Sequence, residues 1–87
     1  MLFHVTYKVA PGQRNSAQER FKKTGALPPD GVTLKGRWHS INGDHGFNLA
    51  ETSDIEAFGK WIQEWSDILI FDVTPVVTDE QIAKIIS

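Results

Sequence analysis

The chain has no cysteine among its 87 residues. That removes disulfides, thiolate nucleophiles and thiolate metal sites together, and it fits a reducing compartment. Long apolar runs are missing as well: nothing approaches the roughly 18 residues of a membrane-spanning helix. The opening Met1-Leu2-Phe3-His4-Val5 has neither the basic start nor the apolar stretch of an export signal. A cytoplasmic protein with no membrane association is expected. Basic excess is absent too, with nine Lys/Arg against eleven Asp/Glu and a net charge of −2, which argues against a nucleic-acid partner, since phosphate neutralisation needs a basic patch. No glycine-rich phosphate loop and no serine nucleophile elbow occurs. His4, His39 and His45, even taken with Asp72 or Glu51, show no HxH or HxxxH spacing and lie on no predicted helix. Neither a metal site nor a cofactor such as haem held by a helical histidine is therefore expected.

What is present reads as strand, helix, strand, strand, helix, strand and a short final helix, with one domain over residues 1–87. From Leu2 to Val9, Phe3, Val5, Tyr7 and Val9 alternate with Leu2, His4, Thr6 and Lys8, the period of two of a sheet. Pro11 suits a first helical position, and the helix it opens runs to about Thr24. Its apolar face is thin, mainly Ala17 and Phe21; Lys22 and Lys23 suit its C-terminal end, Gly25 is a natural cap, and Pro28-Pro29 forbid continuation. Strand two spans about Val32 to His39 and strand three about Gly46 to Glu51, around an Asn42-Gly43 turn. Ser53 with Glu56 is a capping-box pattern for a second helix whose Ile55, Phe58, Ile62 and Trp65 form one stripe. Trp61 and Trp65 on this helix read as packing. Strand four covers Ile68 to Val77, with Pro75 at an edge or at the strand's end. Thr78 with Gln81 caps a short helix bearing Ile82, Ile85 and Ile86.

In a chain this short, that order predicts an α+β, ferredoxin-like βαββαβ fold: a four-stranded antiparallel sheet in the order 2-3-1-4 with both long helices on one face. A two-residue turn sets Trp38 opposite Phe47, Arg37 opposite Asn48 and His39 opposite Gly46. The helix-facing side then holds Phe3, Val5, Tyr7, Leu34, Gly36, Trp38, Phe47, Leu49, Leu69, Phe71 and Val73. His4, Thr6, Arg37, His39, Asn48, Asp72 and Thr74 fall on the open side with Leu2, Ile68 and Ile70. A slip of one residue would exchange the faces. A chain of this size buries only about 60% of its unfolded surface, so an open face with apolar members favours a homodimer. Charge is uneven: seven Lys/Arg and three acids precede residue 46, two and eight follow, so two copies could oppose basic and acidic halves.

The opening Met-Leu-Phe-His-Val-Thr-Tyr, Pro29-Asp30-Gly31-Val32 running on to Gly36-Arg37-Trp38-His39, Glu64-Trp65, and Phe71-Asp72-Val73-Thr74-Pro75-Val76 resemble a family of short bacterial proteins of unknown function, over nearly the whole chain. That family is similar in turn to the dimeric α+β barrels, whose relatives include cofactor-free monooxygenases, small-acid isomerases, haem-degrading enzymes and stress-response proteins. The resemblance implies the fold and a homodimer with facing sheets; it supplies no catalytic residues.

Three functional classes follow. In the first, His4, Thr6, Arg37, His39, Asn48 and Asp72 line an inter-sheet lumen that binds a small, largely apolar ligand, its acidic end on Arg37. In the second, His4 or Asp72 is the base of a cofactor-free monooxygenase or isomerase, with Arg37 and Asn48 stabilising an enolate-like charge. In the third, the protein is a structural or regulatory dimer without a ligand.

Overall fold

A computed structural model describes residues 1–87. The elements are β1 (Leu2–Val9), α1 (Arg14–Thr24), β2 (Val32–His39), β3 (His45–Thr52), α2 (Ile55–Trp65), β4 (Leu69–Val76) and α3 (Asp79–Ile85). The strands form one antiparallel sheet in the order β2-β3-β1-β4, so the chain has the expected ferredoxin-like α+β fold with a short helix appended. No helix is long and apolar enough to cross a membrane.

Helix α2 anchors the core. Phe58, Trp61 and Trp65 are buried, and the Phe58 ring stacks on Phe3 at 4.6 Å between centroids. Around this contact gather Val5, Val32 and Ala50. Ile55, expected on the buried stripe, is exposed, and Trp61 takes its share of the core. The helix also starts one residue later than the Ser53 capping box predicts: Thr52 Oγ1 donates to Gly31 O and accepts the Asp54 N–H, and the Asp54 side chain then caps by accepting the Ala57 N–H at 3.0 Å.

Helix α1 buries only Ala17, as its thin apolar face predicts. Pro11 does not open it; the chain first turns, with the Gln13 N–H donating to Ala10 O at 3.0 Å, and the helix begins at Arg14. Polar contacts hold it in place. Arg20 makes a bidentate pair with Asp67 at 3.0 and 2.7 Å, donates to Glu64 O, and lies over the Trp65 ring. Arg14 Nε donates to Asn42 O at 3.2 Å.

The sheet faces differ from the sequence reading in one respect. The β2–β3 partners are those expected, Trp38 with Phe47, Arg37 with Asn48 and His39 with Gly46. A β-bulge, however, interrupts the ladder between Leu34, opposite Ala50, and Gly36, opposite Leu49. The extra residue, Lys35, reverses the alternation of everything after it. Leu34 points toward the helices, and so do Arg37 and His39. Gly36 and Trp38 point to the open side. Because β3 pairs Asn48 with the wholly buried Val5, Asn48 and Ala50 lie on the helix side and Phe47 and Leu49 on the open one. Strands β1 and β4 carry no bulge and keep the expected faces: Phe71 and Val73 oppose Tyr7 and Val5, while Asp72 and Thr74 oppose Thr6 and His4. Ile68, expected on the open face, precedes β4 and is buried against Trp65 and Ala17.

The β2–β3 connection is longer than the predicted two-residue turn, running from Ser40 to Asp44 and closed by Ser40 N–H to His45 O at 2.8 Å. Helix α3 has the predicted capping box, Thr78 with Gln81, yet buries no residue; Ile82, Ile85 and Ile86 are all exposed.

Candidate ligand-binding cavity

Where α1 has too little apolar bulk to fill the space above the sheet, a cavity of about 390 Å³ remains. Its roof is Ala17, Gln18, Phe21 and Lys22 of α1; its walls are Trp61, Trp65, Leu69 and Phe71. Four polar groups of the sheet lie together beneath the roof: Tyr7 from β1, Arg37 and His39 from β2, and Asn48 from β3. They share a face because the Lys35 bulge turns Arg37 and His39 inward.

Arg37 donates through Nη1 to Ala26 O at 2.8 Å and through Nη2 to Gly25 O at 2.9 Å, with its guanidinium 5.2 Å from the Phe21 ring centroid. It thereby satisfies carbonyls beyond the C-terminus of α1, where Gly25 caps in the left-handed region at φ 70°. The ion pairs of the chain use Arg20, Lys23, Lys35 and His45; no carboxylate pairs with Arg37. Partial burial lowers its pKa, an effect the nearby Tyr7 hydroxyl opposes, but the guanidinium stays protonated.

Tyr7 Oη and His39 Nδ1 meet at 2.6 Å. Gly46 makes this possible. It lies between them, paired with Tyr7 on one side and His39 on the other, and the two side chains join over a residue that has none. A Cβ there would strike the Tyr7 ring and the Trp38 carbonyl. Burial raises the Tyr7 pKa, against the pull of Arg37, whereas burial and then the charge of Arg37 lower that of His39. At neutral pH a protonated phenol therefore faces a neutral imidazole, and the imidazole tautomer sets which of the two donates.

Asn48 is the most buried polar group of the cavity, with 6% of its surface exposed, and its Oδ1 has no hydrogen-bond partner. An orphaned buried acceptor costs about 1–3 kcal/mol.

With this geometry in view, comparison with known proteins places the chain. The model of a family described as a domain of unknown function, DUF3303, matches residues 1–87. The chain belongs to the DUF3303 family. Among curated proteins none matches it. Among solved structures it is similar to an uncharacterized NIPSNAP domain protein from Burkholderia xenovorans, at 9% identity and a TM-score of 0.47, covering 91% of this chain and 97% of that one.

In this DUF3303 domain the six residues expected to form one belt are divided by the sheet. Arg37, His39 and Asn48 line the cavity; His4, Thr6 and Asp72 are on the open face, where the His4 ring lies 5.7 Å from Phe47. This corrects the expected arrangement of His4 or Asp72 as base beside Arg37 and Asn48, because the sheet separates the two sets. Tyr7, read as core, belongs to the polar groups of the site. The signal that could have found it is Gly46, a side-chain gap on a central strand flanked by Tyr7 and His39.

A second polar cluster in the DUF3303 domain lies in the β2–β3 connection. Asp44 Oδ1 contacts both Ser40 Oγ, at 3.2 Å, and His45 Nδ1, at 2.6 Å, and these bonds hold its carboxyl below the usual range. The carboxylate is the hub and no bond joins the serine hydroxyl to the imidazole, so nothing activates a nucleophile; the cluster shapes the turn. No group of three histidine or acidic side chains converges as a metal site would require.

Proposed function

We propose that this domain binds a small, largely apolar molecule with an acidic end in the cavity between α1 and the sheet. The observation that carries the reading is Arg37: a half-buried cation lining an aromatic-walled cavity, with no carboxylate beside it. Two of its five N–H donors serve backbone carbonyls, which leaves three for a ligand. A volume near 390 Å³ is at the small end of ligand pockets, about 300–1,000 Å³, and suits a body of one or two rings. Titration calorimetry with arylalkanoic acids tests it. One of them binds the wild-type protein, its methyl ester binds far more weakly, and Arg37→Gln lowers affinity about ten- to a hundredfold, the worth of a charge-assisted contact. Equal binding of acid and ester would remove Arg37 from the site.

A homodimer through the open face is a second reading, compatible with the first. Trp38 is 52% exposed there and stacks on Phe47 at 5.1 Å, while Ile70, 48% exposed, lies on the opposite edge strand of the same face, apolar surface that a second sheet would cover. Light scattering at micromolar concentration should give twice the chain mass, falling to one chain in Trp38→Glu. A monomeric wild-type mass contradicts it.

A further inference from the structure

We infer that the acidic molecule is a hydroxy acid, with a hydroxyl next to its carboxylate on an aromatic body; this rests on the cavity reading above. Arg37 and Asn48 are directly opposed across β2 and β3 and share the helix-facing side. Opposed side chains leave the sheet about 4.5–5.5 Å apart, so one compact head group meets both. Their needs differ. Arg37 offers hydrogens and calls for an anion. Asn48 Oδ1 is a buried acceptor without a donor, and a carboxylate has no hydrogen to give it.

The protein does not supply that donor. The Tyr7 hydroxyl and His39 Nδ1 are paired at 2.6 Å, two Arg37 N–H groups serve Ala26 O and Gly25 O, and none of the other three reaches Asn48 Oδ1. Oδ1 as placed is closed to solvent, so the missing hydrogen enters with whatever fills the cavity after a half-turn of the carboxamide. A hydroxyl on the carbon beside the carboxylate puts donor and anion within the span of this residue pair. The walls of Phe21, Trp61, Trp65 and Phe71 set the rest of the molecule as a ring or two. A site built to pair a substrate hydroxyl discriminates against the analogue lacking it, because its own polar group is then left bare.

The test compares 3-phenyllactate, as each enantiomer, with 3-phenylpropanoate and with the methyl ester of 3-phenyllactate, by titration calorimetry on the wild-type protein and on Asn48→Leu. One enantiomer of the hydroxy acid binds wild type about tenfold or more tighter than the plain acid, and the ester binds more weakly than the hydroxy acid. Asn48→Leu, which removes the orphaned acceptor, erases the advantage of the hydroxyl while still binding the plain acid. If both acids bind wild type equally, the ligand hydroxyl does not serve Asn48; the cavity reading stands and the hydroxy-acid inference falls. A hydroxyl preference that survives in Asn48→Leu also overturns the inference. If neither acid binds, the cavity reading fails with it. The wild-type comparison decides the matter even if Asn48→Leu does not fold.

Discussion

Arg37→Ala should loosen α1 before it loosens anything else. The side chain makes two charge-assisted bonds, to Ala26 O at 2.8 Å and Gly25 O at 2.9 Å, and lies against Phe21. Each such bond is worth about 1.5–3 kcal/mol, but the lowered pKa records that burial of the guanidinium opposes part of this, and water can reach the freed carbonyls. A net loss of about 2–3 kcal/mol follows, out of the roughly 4–13 kcal/mol available to a chain of this length. For a domain this small that corresponds to about 10–20 °C in Tm. Arg37→Lys keeps the charge but not the fork that spans two carbonyls, and should lose about half as much. Urea unfolding gives the magnitude. Hydrogen exchange gives the location: the Gly25 N–H, bonded to Phe21 O at 2.8 Å, should lose protection well before the amides of β1 and β3. An unchanged midpoint, or exchange that quickens evenly over the whole chain, would refute the role of Arg37 as the clamp on α1.

Gly46→Ala should destabilise by about 1–3 kcal/mol, the range for an overpacked core, and part the Tyr7–His39 pair, which urea unfolding together with the His39 ring shifts in NMR would register. Burial and Arg37 hold His39 below its ordinary 6.5, so the unfolded chain takes up the proton first as pH falls. The stability His39 contributes is therefore complete above about 6.5 and is lost as pH drops through the folded-state value. The difference in unfolding midpoint between wild type and His39→Gln, measured from pH 7.5 down to 5, should shrink accordingly; a flat difference contradicts the shift. Asp54→Ala removes the cap accepting the Ala57 N–H and should cost about 0.5–2 kcal/mol in thermal unfolding, whereas Ser53→Ala should cost little.

The elements were legible in the sequence because each carries a local signal. Alternation marks β1 and β4, Gly25 marks the end of α1, and Thr78 with Gln81 marks the start of α3. Strand pairing between β2 and β3 was legible as well. The candidate site was legible only in its residue types, since Arg37, His39 and Asn48 were singled out but set on the wrong side. A bulge has no reliable sequence mark, and Trp38 and Phe47 look more like core than Arg37 and Asn48 do. Hydrophobicity was misleading there because the pairing of Asn48 with Val5 fixes the side on which β3 shows its alternate residues. The cavity itself follows from how little α1 fills, a deficit visible in Ala17 and Phe21 but not locatable until the helix is docked.

The Lys35 bulge makes β2 a strand in which counting by twos changes parity midway. Before it, even-numbered Val32 and Leu34 face the helices; after it, odd-numbered Arg37 and His39 do. Insertions and deletions within this strand are therefore not equivalent. Removing Lys35 alone would restore regular alternation and leave Arg37 and His39 facing the helices with Trp38 on the open side, because Leu34, Gly36 and Arg37 already pair with the consecutive residues Ala50, Leu49 and Asn48. Removing Lys35 and Gly36 together would instead move every later residue to the other side, carrying Trp38 into the cavity and expelling Arg37 and His39. Any other chain with this fold that is one residue shorter between its Leu34 and Arg37 equivalents should lack the bulge and keep its cationic and aromatic residues on the same sides as here, so that the two align with a single gap at Lys35.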